Sequence, residues 1–234
     1  MKTVAFIFAR FGSKGLPNKN IKLFAGKPLI AYSIEQALSI KRIERVIVST
    51  DSDEIAEIAH NFGAEVPFLR PTELAGDDSP EFLSWRHGLE FLLTSTGSLP
   101  QTMISLPPTA PLRKSEDIEN CLNEFEKNDS DVVITVTDAH RNPYFNMVKT
   151  NLDGSVNLVK NLDTKVFRRQ DAPVLYDVTT VCYVAKPEFV MNRESIFEGR
   201  VKSVFVPIER SIDIDSLLDF QIAEFLKNKE LINP

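Results

Sequence analysis

The chain has 234 residues, with 27 Lys+Arg against 33 Asp+Glu, a formal net charge of −6, and 43% hydrophobic and 26% charged content. That apolar share excludes a disordered chain and suffices for a sizeable core. No stretch approaches the ~18 consecutive apolar residues of a membrane span, and the acidic total argues against general nucleic-acid binding.

In chain order, residues 4–8 (Val-Ala-Phe-Ile-Phe) read as a short buried strand, too short for a signal-peptide core and followed closely by Arg10. A Gly- and Pro-punctuated loop runs from 9 to about 20, and Leu29, Ile30, Ile34, Ala37 and Leu38 then recur at helical spacing. Residues 46–48 make a second strand, after which Ser52 is a candidate N-cap, with Asp53, Glu54 and Glu57 in the first turns of its helix. Further helices are expected at 80–93 and 115–127, with strands at 103–106 and 131–137. This alternation predicts an α/β fold with a mostly parallel sheet covered on both faces. From about 143 to 208 the rhythm changes to β-like pieces (144–148, 156–159, 174–184, 204–206), consistent with an antiparallel insertion or arm. An extended piece at 211–215 and a helix at about 216–228 close the chain, and we read 1–234 as a single domain. The two cysteines, Cys121 and Cys182, form neither a disulfide framework nor a metal set, which points to a reducing cytoplasm.

In open α/β sheets ligands sit beyond the carboxyl ends of the strands. The loops expected there hold much of the unusual chemistry. Charge is unevenly placed: residues 1–34 carry six basic side chains and no acid, whereas the other 200 carry 21 basic and 33 acidic. The first loop, from Ala9 to Asn20, combines Arg10, Lys14 and Lys19 with Ser13 and two glycines, a composition suited to a polyphosphate. It is neither a Walker loop nor a Gly-x-Gly-x-x-Gly fingerprint. Near the other end, Asp213 and Asp215 lie two residues apart in an extended segment and so face the same way. Paired carboxylates without His or Cys suit Mg²⁺ beside a phosphate. A turn-rich stretch from Arg70 leads to a helix start with Asp78 or Ser79 as N-cap and Pro80 at the first position. Pro107, Pro108, Thr109, Pro111 and Arg113 mark a rigid loop after a strand.

Together these segments resemble the acylneuraminate cytidylyltransferases, the CMP-sugar synthetases that activate acidic nine-carbon sugars. The resemblance rests on six stretches in order: Ala9-Arg10-x-Gly-Ser13-Lys14 with Lys19-Asn20; Ser49-Thr50-Asp51-Ser52-x-Glu-Ile-Ala; Arg70-Pro71-x-x-Leu-Ala-x-Asp77; Pro108-Thr109-x-Pro111-Leu-Arg113; Arg169-Gln170; and Asp213-Ile-Asp215-x-x-x-Asp219. It implies a Rossmann-like nucleotidyltransferase with a β-rich dimerisation excursion at about 143–208. It also implies transfer of CMP from CTP to the anomeric hydroxyl of a 2-keto-3-deoxy sugar acid, releasing pyrophosphate. Arg10, Ser13 and Lys14, with Lys19 beside them, are then expected at the triphosphate, and Ala9, Asn20, Arg70, Pro108 and Thr109 at the nucleotide. Asp213 and Asp215 are expected on Mg²⁺, with Arg10, Lys14, Lys19 and Asp215 central to catalysis. Arg169, with Arg168 as an adjacent competitor, is expected on the sugar carboxylate; Pro107 is expected on the sugar side, and Tyr144, Tyr176 and Phe197 are candidates for an apolar wall against the sugar's N-acyl group, each of which also reads as a core residue. A homodimer is implied in which one subunit's excursion reaches its partner's sugar site, with no nucleic-acid or membrane partner.

The departures fall on the sugar side. Pro107 stands where the family usually has Gln, and Thr179-Thr180-Val181 replaces Asn-Gly-Ala before Tyr183. These differences favour a nonulosonate other than N-acetylneuraminate, such as a legionaminate or pseudaminate. Two alternatives remain: a 3-deoxy-octulosonate cytidylyltransferase, whose first loop usually has Ser-Thr-Arg-Leu-Pro, and a non-catalytic nucleotide-binding module. His140 lies on a crevice-facing loop; His60, His87, Trp85 and Cys182 read as packing residues.

Overall fold

A computed structural model describes residues 2–76, 79–162 and 167–229. The chain starts with β1 (Thr3–Phe8), the short β2 (Leu23–Phe24) and β3 (Lys27–Pro28), then α1 (Leu29–Ser39), β4 (Arg45–Ser49) and α2 (Asp53–Asn61). It continues through α3 (Glu81–Thr96), β5 (Thr102–Ser105), α4 (Ser115–Phe125) and β6 (Val132–Asp138). The remaining elements are β7 (Val148–Thr150), β8 (Val156–Leu158), β9 (Tyr176–Ala185), α5 (Pro187–Asn192), β10 (Val201–Phe205) and α6 (Leu217–Asn228).

Six strands form one sheet in the order β10-β6-β9-β5-β1-β4, in which β9 runs antiparallel to both its neighbours and the other pairings are parallel. The mostly parallel α/β expectation therefore holds. Both faces are covered, and β1 shows how the sequence achieves this: Ala5 and Ile7 point into the core beneath α1, α2 and α4, while Val4 and Phe6 point to the opposite core beneath α3 and α5. A strand buried on both sides has no polar face, which is why it reads as a continuous apolar run.

A third cluster matters most for the site. Leu16 of the first loop, Phe24, Leu29, Tyr32, Leu112, Ile214 and Phe220 pack together. This apolar plug fastens the first loop, the loop after β5 and the segment before α6 to one another, although they are far apart in sequence. Tyr32 reinforces it by donating its hydroxyl to the Phe24 carbonyl at 2.8 Å.

The structure narrows the expected β-rich excursion. β9 lies inside the main sheet and β10 forms its edge, so among the described residues of 143–208 the departure narrows to those between β6 and β9, which include the β7–β8 hairpin. Residues 144–147 form a turn rather than a strand, because Asn142 rather than a neighbouring strand takes their amides: its side-chain oxygen accepts from Tyr144 N, and its carbonyl accepts from the amides of Phe145, Asn146 and Met147. Helix α3 begins at Glu81 with Pro80 preceding it, one residue later than expected. Ser52 caps α2 as expected, accepting from Ile55 N at 3.4 Å.

Candidate active site

Beyond the carboxyl ends of β1 and β5 lies a cleft of about 630 Å³, within the range of small-molecule sites. Its wall begins where β1 ends. Ala9 is fully buried and stays hydrogen-bonded to Ser49 O, which fixes the direction in which the first loop leaves the sheet. Asn20 is buried and returns its amide to the Arg10 carbonyl at 2.9 Å, closing the loop on itself. Arg10, Ser13, Lys14, Gly15, Lys19 and Asn20 all line the cleft.

The segment before α6 forms the facing wall. Lys19 Nζ donates to the Ile214 carbonyl at 2.7 Å and to Asp215 Oδ1 at 2.9 Å, joining the basic loop to the paired aspartates. Ile214 N donates to Thr109 O at 2.9 Å, which brings in the proline-rich loop. Asp219, inside the cap of α6, accepts from Ser216 N and holds Asp215 N at 3.3 Å. Hydrogen bonding from the Ser216 hydroxyl keeps the Asp219 carboxyl below the usual carboxylate range.

Asp213 is the more enclosed member of the pair. Burial pushes its pKa up, the Thr109 and Thr180 hydroxyls counteract this by hydrogen bonding, and the Asp215 charge adds to the rise. One oxygen, Oδ1, is buried without a hydrogen-bond partner among the described residues. An orphaned carboxylate oxygen beside an exposed second carboxylate is what a hard divalent cation requires, so these residues fit Mg²⁺. Thr180 reaches the cleft where β9 slips register against β6, between Ile134 and Thr135, and such irregularities re-aim side chains.

The loop after β5 is held from below. Arg113 is 2% exposed, and its guanidinium donates to the carbonyls of Pro107 and Ala110. Burial lowers its pKa to about 10. This arginine fixes Pro107, Pro108 and Thr109, all of which line the cleft.

The far end of the cleft has a different chemistry. Arg70, 6% exposed, donates to Ser84 Oγ at 3.2 Å, while Ser84 Oγ donates to Leu74 O. Burial lowers the Arg70 pKa, and the Asp51 and Glu81 charges oppose that shift. Arg70 Nε and Ser79 Oγ are buried without hydrogen-bond partners among the described residues. Glu81 is exposed where it opens to the cleft; desolvation of its carboxyl raises its pKa, with the Trp85 indole N–H and Arg70 working against the rise.

The cleft thus brings together Ala9's neighbour Arg10 with Ser13, Lys14, Lys19, Asn20, Arg70, Pro107, Pro108, Thr109, Asp213 and Asp215. Tyr144, Arg169, Tyr176 and Phe197 do not line it. Tyr144 sits in the Asn142 turn, Arg169 is bonded to the carbonyls of Ala139 and His140, Tyr176 packs edge-on to Phe205, and Phe197 is exposed. Asp77 and Asp78 lie outside the described residues. Sequence reasoning did not single out Phe8, Leu74, Ser84 or Glu81 as cleft residues. An acid in the first turn of a helix is ordinary, so Glu81 carried no distinguishing signal.

A basic loop facing paired aspartates across a cleft at the end of an α/β sheet suits a phosphate-bearing ligand, and comparison with known proteins specifies the class. The cytidylyltransferase family model matches residues 4–231, and the chain belongs to this family. It is 40% identical to the post-translational flagellin modification protein B of Campylobacter coli over 96% of this chain and 95% of that one. It is 39% identical to CMP-N,N'-diacetyllegionaminic acid synthase of Campylobacter jejuni, covering 97% and 96% of the two chains. Among solved structures, CMP:2-keto-3-deoxy-manno-octonic acid synthetase complexed with CTP aligns with a TM-score of 0.73 at 17% identity, over 98% of this chain and 100% of that one, a likeness of fold. Among the described residues no helix is long and apolar enough to cross a membrane.

Proposed function

We propose that this enzyme transfers CMP from CTP to the anomeric hydroxyl of an acidic nine-carbon 2-keto-3-deoxy sugar, releasing pyrophosphate, with a sugar of the legionaminate type as acceptor. The observation that carries this is the convergence of Arg10, Ser13, Lys14 and Lys19 with Asp213 and Asp215 on one cleft. The likeness to the legionaminic acid synthase supports the choice of sugar. The octulosonate alternative is not favoured, since its structural relative shares the fold alone.

In this mechanism Arg10 and Lys14 neutralise the triphosphate and the departing pyrophosphate, while Ser13 and the open backbone of the loop fix its position. Asp213 and Asp215 would hold Mg²⁺, which supplies charge neutralisation at the α-phosphate and lowers the pKa of a sugar hydroxyl. Lys19 keeps Asp215 turned toward the loop. Pro107 removes a side-chain hydrogen bond from the acceptor side, consistent with a sugar other than N-acetylneuraminate.

Arg169, Tyr144 and Tyr176 belong to the excursion or to its base, and in this reading a homodimer presents them to the partner's cleft. A cytoplasmic setting accords with Cys121 and Cys182, which are both free and buried.

Pyrophosphate release over four nucleoside triphosphates and a panel of ulosonates tests the proposal. Release should require CTP, a legionaminate-type sugar and Mg²⁺ together. Equal turnover of N-acetylneuraminate would overturn the sugar assignment. Asp215→Asn should abolish turnover and leave the melting temperature nearly unchanged; near-normal activity would overturn the metal assignment.

A further inference from the structure

The proposed reaction makes no direct use of Asp117, an acid in the first turn of α4 that is only 1% exposed. Its Oδ2 accepts from Lys114 N at 2.8 Å, as acids at a helix start commonly do. Capping needs no burial, and an enclosed charge is costly unless it is paired. The pairing comes from outside the helix. Arg210 Nη2 donates to Asp117 Oδ1 at 2.8 Å, while Arg210 Nη1 meets the more exposed Glu116 at 2.8 Å. Arg210 ends the single turn Ile208–Arg210, shortly before Asp213. From there to α6 the chain at 211–215 is neither helix nor strand, so side attachments must fix its course. They are Arg210 at its start, Lys19 and the Thr109 carbonyl in its middle, and the α6 cap at its end.

We infer that Asp117 is a positioning residue for the paired aspartates: by holding Arg210 it fixes where the 211–215 segment begins, and beside Arg113 it steadies the loop on which Asp213 is set. This role rests on Asp213 and Asp215 holding Mg²⁺, as proposed above. Arg113 supplies the second half of the connection. It is buried, it donates to the Pro107 and Ala110 carbonyls, and the charges of Asp117 and Asp213 both favour its charged form. Arg210, Asp117, Arg113 and Asp213 therefore alternate in sign from α4 to the cleft. Both parts of the acidic wall, the Thr109 loop and the aspartate segment, depend on one buried carboxylate of a helix that packs on β6, β9 and β10. Two carboxylates that share an ion tolerate little displacement, so groups behind a metal site are expected to matter for affinity.

The test measures Mn²⁺, a paramagnetic stand-in for Mg²⁺, binding to the full chain with CTP present by electron paramagnetic resonance. Hydrogen exchange of the 211–215 segment is followed alongside in the metal-free chain. Asp117→Asn keeps an oxygen for Lys114 N but removes the charge from Arg210. It should weaken Mn²⁺ about tenfold or more and speed exchange at Ile214. Arg210→Gln should do the same, and the double variant should be no worse than either single one, because the two residues act as a unit. Arg210→Lys, which keeps a cation for Asp117, should recover part of the loss. Glu116→Gln removes only the exposed partner and should change Mn²⁺ affinity little. A lower melting temperature in Asp117→Asn with wild-type Mn²⁺ affinity would overturn the inference, leaving Asp117 as a helix cap. Additive losses in the double variant would overturn it too. Should Asp117→Asn fail to fold, Arg210→Gln against Arg210→Lys decides, and equal Mn²⁺ affinity in those two would overturn it. If wild type with CTP bound no Mn²⁺, the metal reading itself would fall, and the inference with it.

Discussion

Gly15 has no side chain where the first loop passes the Asp215 carbonyl, and a Cβ there would fall well inside contact distance of that oxygen. The loop and the aspartate segment approach each other this closely because Lys19 and the Leu16–Ile214 contact draw them together. Gly15→Ala must therefore widen the gap between the basic wall and the acidic wall. Small misplacements of reacting groups are costly, so kcat/KM for CTP should fall by ~10- to 100-fold. The effect should show in steady-state pyrophosphate release, while circular dichroism reports an intact fold. At this scale the sequence was most informative for charge: Arg10, Lys14, Asp213 and Asp215 were all legible, because a loop of like charges and a pair of carboxylates each call for an opposite charge. Arg113 was visible only as part of a motif. Its work, donating to the Pro107 and Ala110 carbonyls, depends on a loop shape that no local pattern encodes.

The elements differ in how plainly the sequence announced them. α6 was legible to within a residue and α2 at its start, because Ser216 and Ser52 cap them and apolar periodicity carries them. β9 read as a strand but not as a central one, since its partners Met103–Ser105 and Val132–Asp138 are more than 35 residues away in sequence. The opposite edge of the sheet shows how a strand end is protected. Beyond β4, Glu65 pairs its backbone with Val46 and Val48, while its carboxylate takes a bidentate pair from Arg45 at 2.6 and 2.9 Å. The Arg45 hydrogen bonds hold the Glu65 carboxyl below its ordinary pKa. A carboxylate lowered in the folded state stabilises above its unfolded pKa, and that contribution is lost as pH falls through the folded value. The pair is partly exposed, so its worth is ~0.5 kcal/mol, or roughly 1–2 °C in melting temperature. Glu65→Gln should melt lower than wild type by that margin at pH 7. The difference should shrink as pH falls through the carboxylate range, measured by thermal denaturation across an acid pH series.

At the scale of the whole molecule, one part of the sheet lacks a cover among the described residues. β6, β9 and β10 run past the end of the α3–α5 layer, and their paired residues Val136, Val178 and Phe205 share one face, since directly paired residues point the same way. Val132 and Ile134 on that face are buried against α5, but Val178 is 49% and Phe205 51% exposed. Tyr176, one step along the same face, packs its ring on Phe205 at 6.3 Å, and Val174 continues the apolar surface toward the excursion. A contiguous apolar patch at the root of the hairpin excursion is the expected meeting surface for a second copy. It would carry the excursion, with Arg169, away from its own cleft and toward its partner's. A two-fold contact repeats every substitution on both sides, so one charge on the patch appears twice. Phe205→Glu should therefore convert a dimer into monomers in sedimentation velocity at micromolar concentration, while CTP binding per chain persists, because no nucleotide-side residue lies on the patch. Turnover should fall with dissociation if the partner's excursion completes the sugar site. A monomeric wild type, or a monomeric Phe205→Glu with full turnover, would mean that each chain completes its sugar site alone.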